Sequence, residues 1–91
     1  MTPLTMAVNS DNLELVRTVI RRGADVNAPS GPSFHRPTAL HFACFRGNLD
    51  IVRCLVEHGA DLHRPDDEGL DAMKMAAVGG RDATLEYLIQ V

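Results

Sequence analysis

At 91 residues the chain makes one domain, and a chain this short buries only about 60–65% of its unfolded surface, so any single core is thin. A hydrophobic fraction of 45% argues against disorder, and a net charge of −3 excludes the basic footprint of a nucleic-acid binder. No apolar run is long enough to span a membrane.

The elements follow in chain order. Thr2 caps a first helix, with Pro3 at the one position where its missing N–H costs nothing. Leu4 and Ala7 share a face of that helix, which ends near Asp11. Asn12 caps a second helix from Leu13 to Arg22, whose Leu15, Val16, Val19 and Ile20 form an apolar stripe. Gly23 closes it, and Ala24-Asp25-Val26-Asn27 leads into a connection rich in Pro and Ser. Thr38 caps a third helix carrying Leu40 and Ala43, which turns at Gly47. Asn48 caps a fourth, Leu49 to His58, with its stripe at Ile51, Val52, Leu55 and Val56 and a closing Gly59. Asp71 caps a fifth, with Met73 and Ala76 on one face and a turn at Gly80. A sixth helix runs from Ala83 to Gln90, with Arg81 where the earlier ones have a capping Asn. The sparse aromatic content suits such an α-helical core of Leu, Val, Ile, Ala and Met.

These elements repeat. Gly47 and Gly80, Ala43 and Ala76, and Leu40 and Met73 each stand 33 residues apart. Gly23 and Gly59, Ala7 and Ala43, Leu4 and Leu40, and Asn12 and Asn48 stand 36 apart. The three extra residues fall within 28–33, because Asn27 precedes Thr38 by 11 residues whereas His63 precedes Asp71 by 8. The chain therefore holds three copies of a two-helix unit. They read as repeats over about 1–33, 34–66 and 67–91, the last incomplete, within one domain over 1–91. No single pair can bury its stripe alone; stacked pairs share one core.

Thr38-Ala39-Leu40-His41-Phe42-Ala43 and Thr2-Pro3-Leu4-Thr5-Met6-Ala7 resemble the Thr-Pro-Leu-His-x-Ala motif of the ankyrin repeat. Asp71-Ala72-Met73-Lys74-Met75-Ala76 is a degenerate third copy. Gly23-Ala24-Asp25-Val26-Asn27 and Gly59-Ala60-Asp61-Leu62-His63 resemble the turn of that family. The resemblance implies an all-α solenoid of three stacked antiparallel helix pairs joined by hairpin-like turns. It also implies that only His41 makes the usual motif contact with its cap, since Thr5 and Lys74 replace the other two histidines.

The chemistry-bearing residues have structural explanations. His41, Cys44, Cys54 and His58 have finger-like zinc spacing, yet His41 is the motif His and both cysteines fall at packing positions. A cysteine nucleophile with His41 as base lacks a third orienting group. Gly79-Gly80 follows no strand and cradles no phosphate, and Asp66-Asp67-Glu68 lacks the alternating ligands of a calcium loop. No enzyme activity and no cofactor are expected. Met1-Thr2-Pro3 begins no signal peptide, so the two cysteines read as reduced thiols of the cytoplasm, with the nucleus open as an alternative.

What remains is a surface for a partner. The resemblance implies that turn tips and the exposed face of the first helices line a concave groove. Alignment then offers Asn9, Ser10 and Arg22 in the first repeat and Phe34, His35, Pro37, Phe45, Arg46 and His58 in the second. The third offers Asp67, Glu68, Leu70, Val78 and Gly79. Aromatic and Arg side chains carry much interface energy, so the expected partner is a protein or peptide with acidic and apolar groups. The expected role is a non-catalytic interaction module within a larger scaffold, adaptor or regulator. The alternative is a spacer array with no partner of its own. Val19, Asp25, Val26 and Asn27 also resemble the family's asparagine-hydroxylation pattern, with Val19 in place of Leu, which marks Asn27. At the ends, Leu4, Val8 and Leu15 on one side and Leu85, Leu88 and Ile89 on the other are expected to lie bare. Such faces invite end-to-end self-association or cover from flanking sequence, and the array reads as a piece of a longer one.

Overall fold

The computed structural model describes residues 2–29, 37–65 and 68–91. Phe34, His35 and Asp67, most of the 28–33 insertion and both expected repeat boundaries lie outside them. Among the described residues the chain is all-helical: α1 (Pro3–Asn9), α2 (Leu13–Arg21), α3 (Ala39–Arg46), α4 (Leu49–Glu57), α5 (Ala72–Val78) and α6 (Asp82–Gln90).

The caps set these boundaries. Thr2 Oγ1 accepts from the Thr5 N–H at 3.1 Å, Asn12 Oδ1 from Leu15 at 3.1 Å, Asn48 Oδ1 from Ile51 at 3.3 Å and Asp71 Oδ1 from Lys74 at 2.9 Å. The turns between paired helices use a left-handed residue: Asp11 at φ 54°, Gly47 at φ 80° and Gly80 at φ 70°. Three boundaries differ from the sequence reading. Arg22 and His58 lie just outside α2 and α4, because the Gly23 and Gly59 N–H groups bond only three residues back, to Ile20 and Val56. The last helix starts at Asp82 rather than Ala83, with an acidic side chain in the turn where the helix dipole favours it.

Each pair, α1/α2, α3/α4 and α5/α6, is an antiparallel hairpin, and the pairs stack in order. The first helices approach one another more closely than the second helices do. The stack therefore curves, with α1, α3 and α5 on its inner side. Leu4, Val8, Val16, Leu40, Ile51, Val52 and Leu55 are almost wholly buried between the layers, joined by Ala7, Ala43 and Ala76 where helices touch. The expected bare ends are corrected here. Leu4, Val8 and Leu88 are buried, because they point into the core shared with neighbouring helices rather than out of the stack, and Leu85 is half-buried. Leu15 and Ile89 do remain exposed.

His41 ties the second repeat to the third. Its Nδ1 accepts from the Thr38 N–H at 3.0 Å and faces Thr38 Oγ1 at 2.8 Å, while Nε2 lies 2.8 Å from the Leu70 carbonyl oxygen. One neutral tautomer, protonated at Nε2, satisfies all three. Thr5 does part of this work in the first repeat, which the motif comparison did not anticipate: its Oγ1 donates to the Thr2 carbonyl at 2.8 Å. Every buried side-chain nitrogen and oxygen among the described residues has a partner.

Candidate functional site

The inner side of the stack is built by register. Asn9, Phe45 and Val78 occupy the same position on α1, α3 and α5, and Met6, Phe42 and Met75 occupy the one a helical turn earlier. The two rows form a continuous strip across the three first helices. Phe45 is 45% exposed, Met6 57% and Val78 63%, whereas Phe42 and Met75 are half-buried and packed against the core. Asn9 stands at the same level on α1. Phe45 and Val78 were legible in the sequence. Met6, Phe42 and Met75 were missed, although stepping back three residues along each first helix would have found them.

Beside this strip, Asp11, Phe45, Arg46 and Arg81 enclose a shallow polar cleft of about 300 Å³. Arg46 grips Asp11 with two bonds, Nη2 to Oδ2 at 2.8 Å and Nε to Oδ1 at 3.2 Å. That bidentate contact holds the Asp11 carboxyl below the usual carboxylate range. Arg46 is therefore oriented and partly neutralised within the chain rather than left free for an outside acid. Arg81 caps no helix; its side chain instead crosses Gly47, and its Nε donates to the Phe45 carbonyl at 3.0 Å. Both guanidinium groups thus reach back one repeat. Gly79 completes the seam, for a Cβ there would stand 2.5 Å from the Phe45 carbonyl oxygen.

The remaining expected residues do not join this cluster. Because the helix pairs are antiparallel, Arg22 and His58, at the C-terminal ends of α2 and α4, sit at the opposite end from Ser10, Arg46 and Val78. His58 also turns onto its own helix, with Nδ1 2.7 Å from the Cys54 carbonyl oxygen. Pro37, Glu68 and Leu70 precede α3 and α5 and lie at that same far end. Leu70 is half-buried and lends its carbonyl to His41. Asn27 lies between turns: its Nδ2 donates to the Gly59 carbonyl at 3.1 Å and its Oδ1 accepts from the Asp61 N–H at 2.7 Å. Arg64 Nη1 in turn donates to the Asn27 carbonyl at 2.7 Å.

The thiols are placed for packing. Cys44 is fully buried, and its thiol is pushed up to about 12, first by burial and then by the Asp71 carboxylate. Burial also raises Cys54. Neither supplies thiolate near neutral pH, and both ring nitrogens of His41 are already engaged. No group of three or more metal-ligating side chains converges among the described residues. No helix among them is long and apolar enough to cross a membrane.

Two comparisons bear on this geometry. The family model for ankyrin repeats (3 copies) matches residues 4–91, nearly the whole chain. No curated protein matches it.

Proposed function

Since the chain belongs to the ankyrin-repeat family, whose members generally act as protein–protein interaction modules and are typically non-catalytic, we propose that it is a non-catalytic module that grips a protein partner along α1, α3 and α5. The observation that carries this reading is the exposed row of Phe45 and Val78, with Met6 beside it. Burial of such side chains is worth about 25 cal/mol per Å², and leaving them in water serves no end in the fold. The adjoining cleft favours an acidic side chain. Arg81 commits its Nε to the Phe45 carbonyl, so its terminal nitrogens remain for a carboxylate, whereas Arg46 is held by Asp11. The partner segment therefore carries an apolar residue for Phe45 and Val78 and a carboxylate near it.

The single domain over 1–91 would serve within a larger scaffold, adaptor or regulator. The cytoplasm, or the nucleus, suits two buried, free thiols. Asn27 is the proposed hydroxylation site; its carboxamide is engaged on both sides, so a modifying enzyme must first part it from the second turn. A spacer with no partner of its own would have no use for the exposed row.

Affinity capture from cell extract with the intact chain, compared with a Phe45→Ala/Arg46→Ala variant of unchanged helical circular dichroism, tests the reading. Binding lost in the variant supports it. A partner retained equally by both proteins rejects the inner face as the site.

A further inference from the structure

The turns between paired helices align as Ser10-Asp11-Asn12, Arg46-Gly47-Asn48 and Gly79-Gly80-Arg81. Each repeat departs from the other two at a different one of these positions, and each departure is a charge. Asp11 stands where the others have glycine, Arg46 where they have serine or glycine, and Arg81 where they have a capping asparagine. The fold gathers all of them, with Phe45, around one cleft. We propose that Asp11 is the specificity-determining residue of this cleft: it tilts the site toward the carboxylate of a partner's aspartate or glutamate and against a phosphorylated side chain. The proposal rests on the reading of the inner face as the partner site.

The donors are divided unequally. Arg46 gives its Nη2 and Nε to Asp11, whereas Arg81 gives only its Nε, to the Phe45 carbonyl. The two terminal nitrogens of Arg81 form a fork that matches the two oxygens of a carboxylate. Asp11 contributes no donor. Its carboxyl, held below the usual range by Arg46, is ionised at neutral pH and only accepts. A phosphoserine has a third oxygen and close to two charges there. Repulsion from Asp11 therefore weighs on it about twice as heavily as on a carboxylate.

Stability does not account for this placement. The Asp11–Arg46 pair is exposed, with 48% and 40% of the side chains in water, and such pairs contribute little. Asp11 also occupies a left-handed position, φ 54°, that the other repeats give to Gly47 and Gly80, where glycine suits the backbone better. What the carboxylate does change is the potential in the cleft.

The test is an NMR titration of the isotope-labelled chain at low salt and about pH 7.5, where phosphoserine is mostly dianionic. The probes are N-acetylated, C-amidated Gly-Leu-Asp-Gly and the same peptide with phosphoserine in place of Asp. Saturable shifts at the Arg81 Nε–H and the Gly47 and Gly79 amides are expected below about 20 mM, and Arg81→Ala should remove them. Asp11→Asn removes the charge while keeping a residue that tolerates the left-handed turn. In that variant, of unchanged circular dichroism, the Asp peptide should bind about threefold more tightly and the phosphopeptide about tenfold. Equal gains for both peptides would overturn the proposal, as would a loss for both, the result expected if Asp11 only orients Arg46. Absence of shifts at Arg81 at about 20 mM, or shifts that survive Arg81→Ala, would overturn it too. The inner face as a whole is judged separately, by the capture experiment with Phe45→Ala/Arg46→Ala.

Discussion

Arg81 gives up the capping role of its position to reach the carbonyl oxygen of Phe45, 3.0 Å from its Nε. The equivalent residues in the earlier repeats, Asn12 and Asn48, cap their own helices instead. A residue that departs from the repeat pattern has thus been turned from local helix stabilisation to joining two repeats, and it does so beside the exposed Phe45 side chain.

Gly47 is bound to this arrangement. Its φ of 80° disfavours any side chain, and an added Cβ would meet Arg81 Cδ at 2.5 Å. Gly47→Val should cost about 1–2 kcal/mol from backbone strain, plus whatever the displaced Arg81 contact contributed. In an Arg81→Ala background the second part is already gone, so the penalty should shrink toward the strain alone. A double-mutant cycle by urea denaturation measures this. Equal penalties in both backgrounds would mean that Arg81 moves aside without loss.

Gly79 makes the opposite case to intuition. Its φ of −79° and ψ of −5° lie in ordinary helical space, where Gly→Ala normally stabilises by about 0.4–1 kcal/mol. Here the Cβ would stand 2.5 Å from the backbone carbonyl oxygen of Phe45, and backbone cannot step aside as a side chain can. Gly79→Ala should therefore destabilise, by about 1–3 kcal/mol. A raised Tm for this variant would show that α3 and α5 are less closely seated than described.

The contrast between these glycines shows what the sequence could reveal. The turn at Gly47 was legible, because a helix-ending Gly before a capping Asn has a local cause. So were the caps at Thr2, Thr38 and Asp71, and the buried face of α4; of the stripe expected on α2 only Val16 is buried, with Val19 and Ile20 half-buried and Leu15 exposed, because no helix of a neighbouring repeat covers its outer side. Gly79 was not, because its constraint comes from a carbonyl more than thirty residues away. The pairing of Arg46 with Asp11 was hidden for the same reason, as was the separation of Arg22 and His58 from Phe45. Alignment assigns positions within one repeat, but the end of the stack at which they lie follows only from the antiparallel pairing. Leu4 and Leu88 erred in the other direction: a terminal repeat still buries the residues that face its own partner helix.

Self-association is expected to run through the residues that do remain bare. Leu15 on α2, and Ile89 and Val91 at the end of α6, are 42%, 64% and 55% exposed. Contact between unlike ends would propagate, whereas contact between like ends closes as a dimer. Sedimentation over a wide concentration range should show a dimer that Ile89→Glu dissociates. Leu88 is unsuited to this test, since it is buried and its replacement would unfold α6. A parent chain that stays monomeric at every concentration would exclude this mode.

The buried thiol sets a limit at alkaline pH. Cys44 is raised in the folded chain to about 12, with burial the larger cause and Asp71 the lesser. In the unfolded chain the thiol ionises near its ordinary value of about 8.5. Below that value both states carry the neutral thiol, and no stability depends on pH through this group. Above it the unfolded chain loses the proton while the folded one keeps it, so stability should fall steadily between about pH 9 and pH 12. Asp11 acts in the opposite range: its carboxyl is lowered by Arg46, so its contribution is present above the ordinary carboxylate value and fades on acidification. That contribution should be slight, because the pair is exposed and screened by salt. Urea midpoints measured from pH 7 to 11 for the parent and for Cys44→Ala decide the matter. The parent curve should slope downward above pH 9 and the variant curve, lower at neutral pH from the cavity it creates, should slope less. Parallel curves would show that Cys44 ionises as readily folded as unfolded, and that the seam between α3 and α5 admits water.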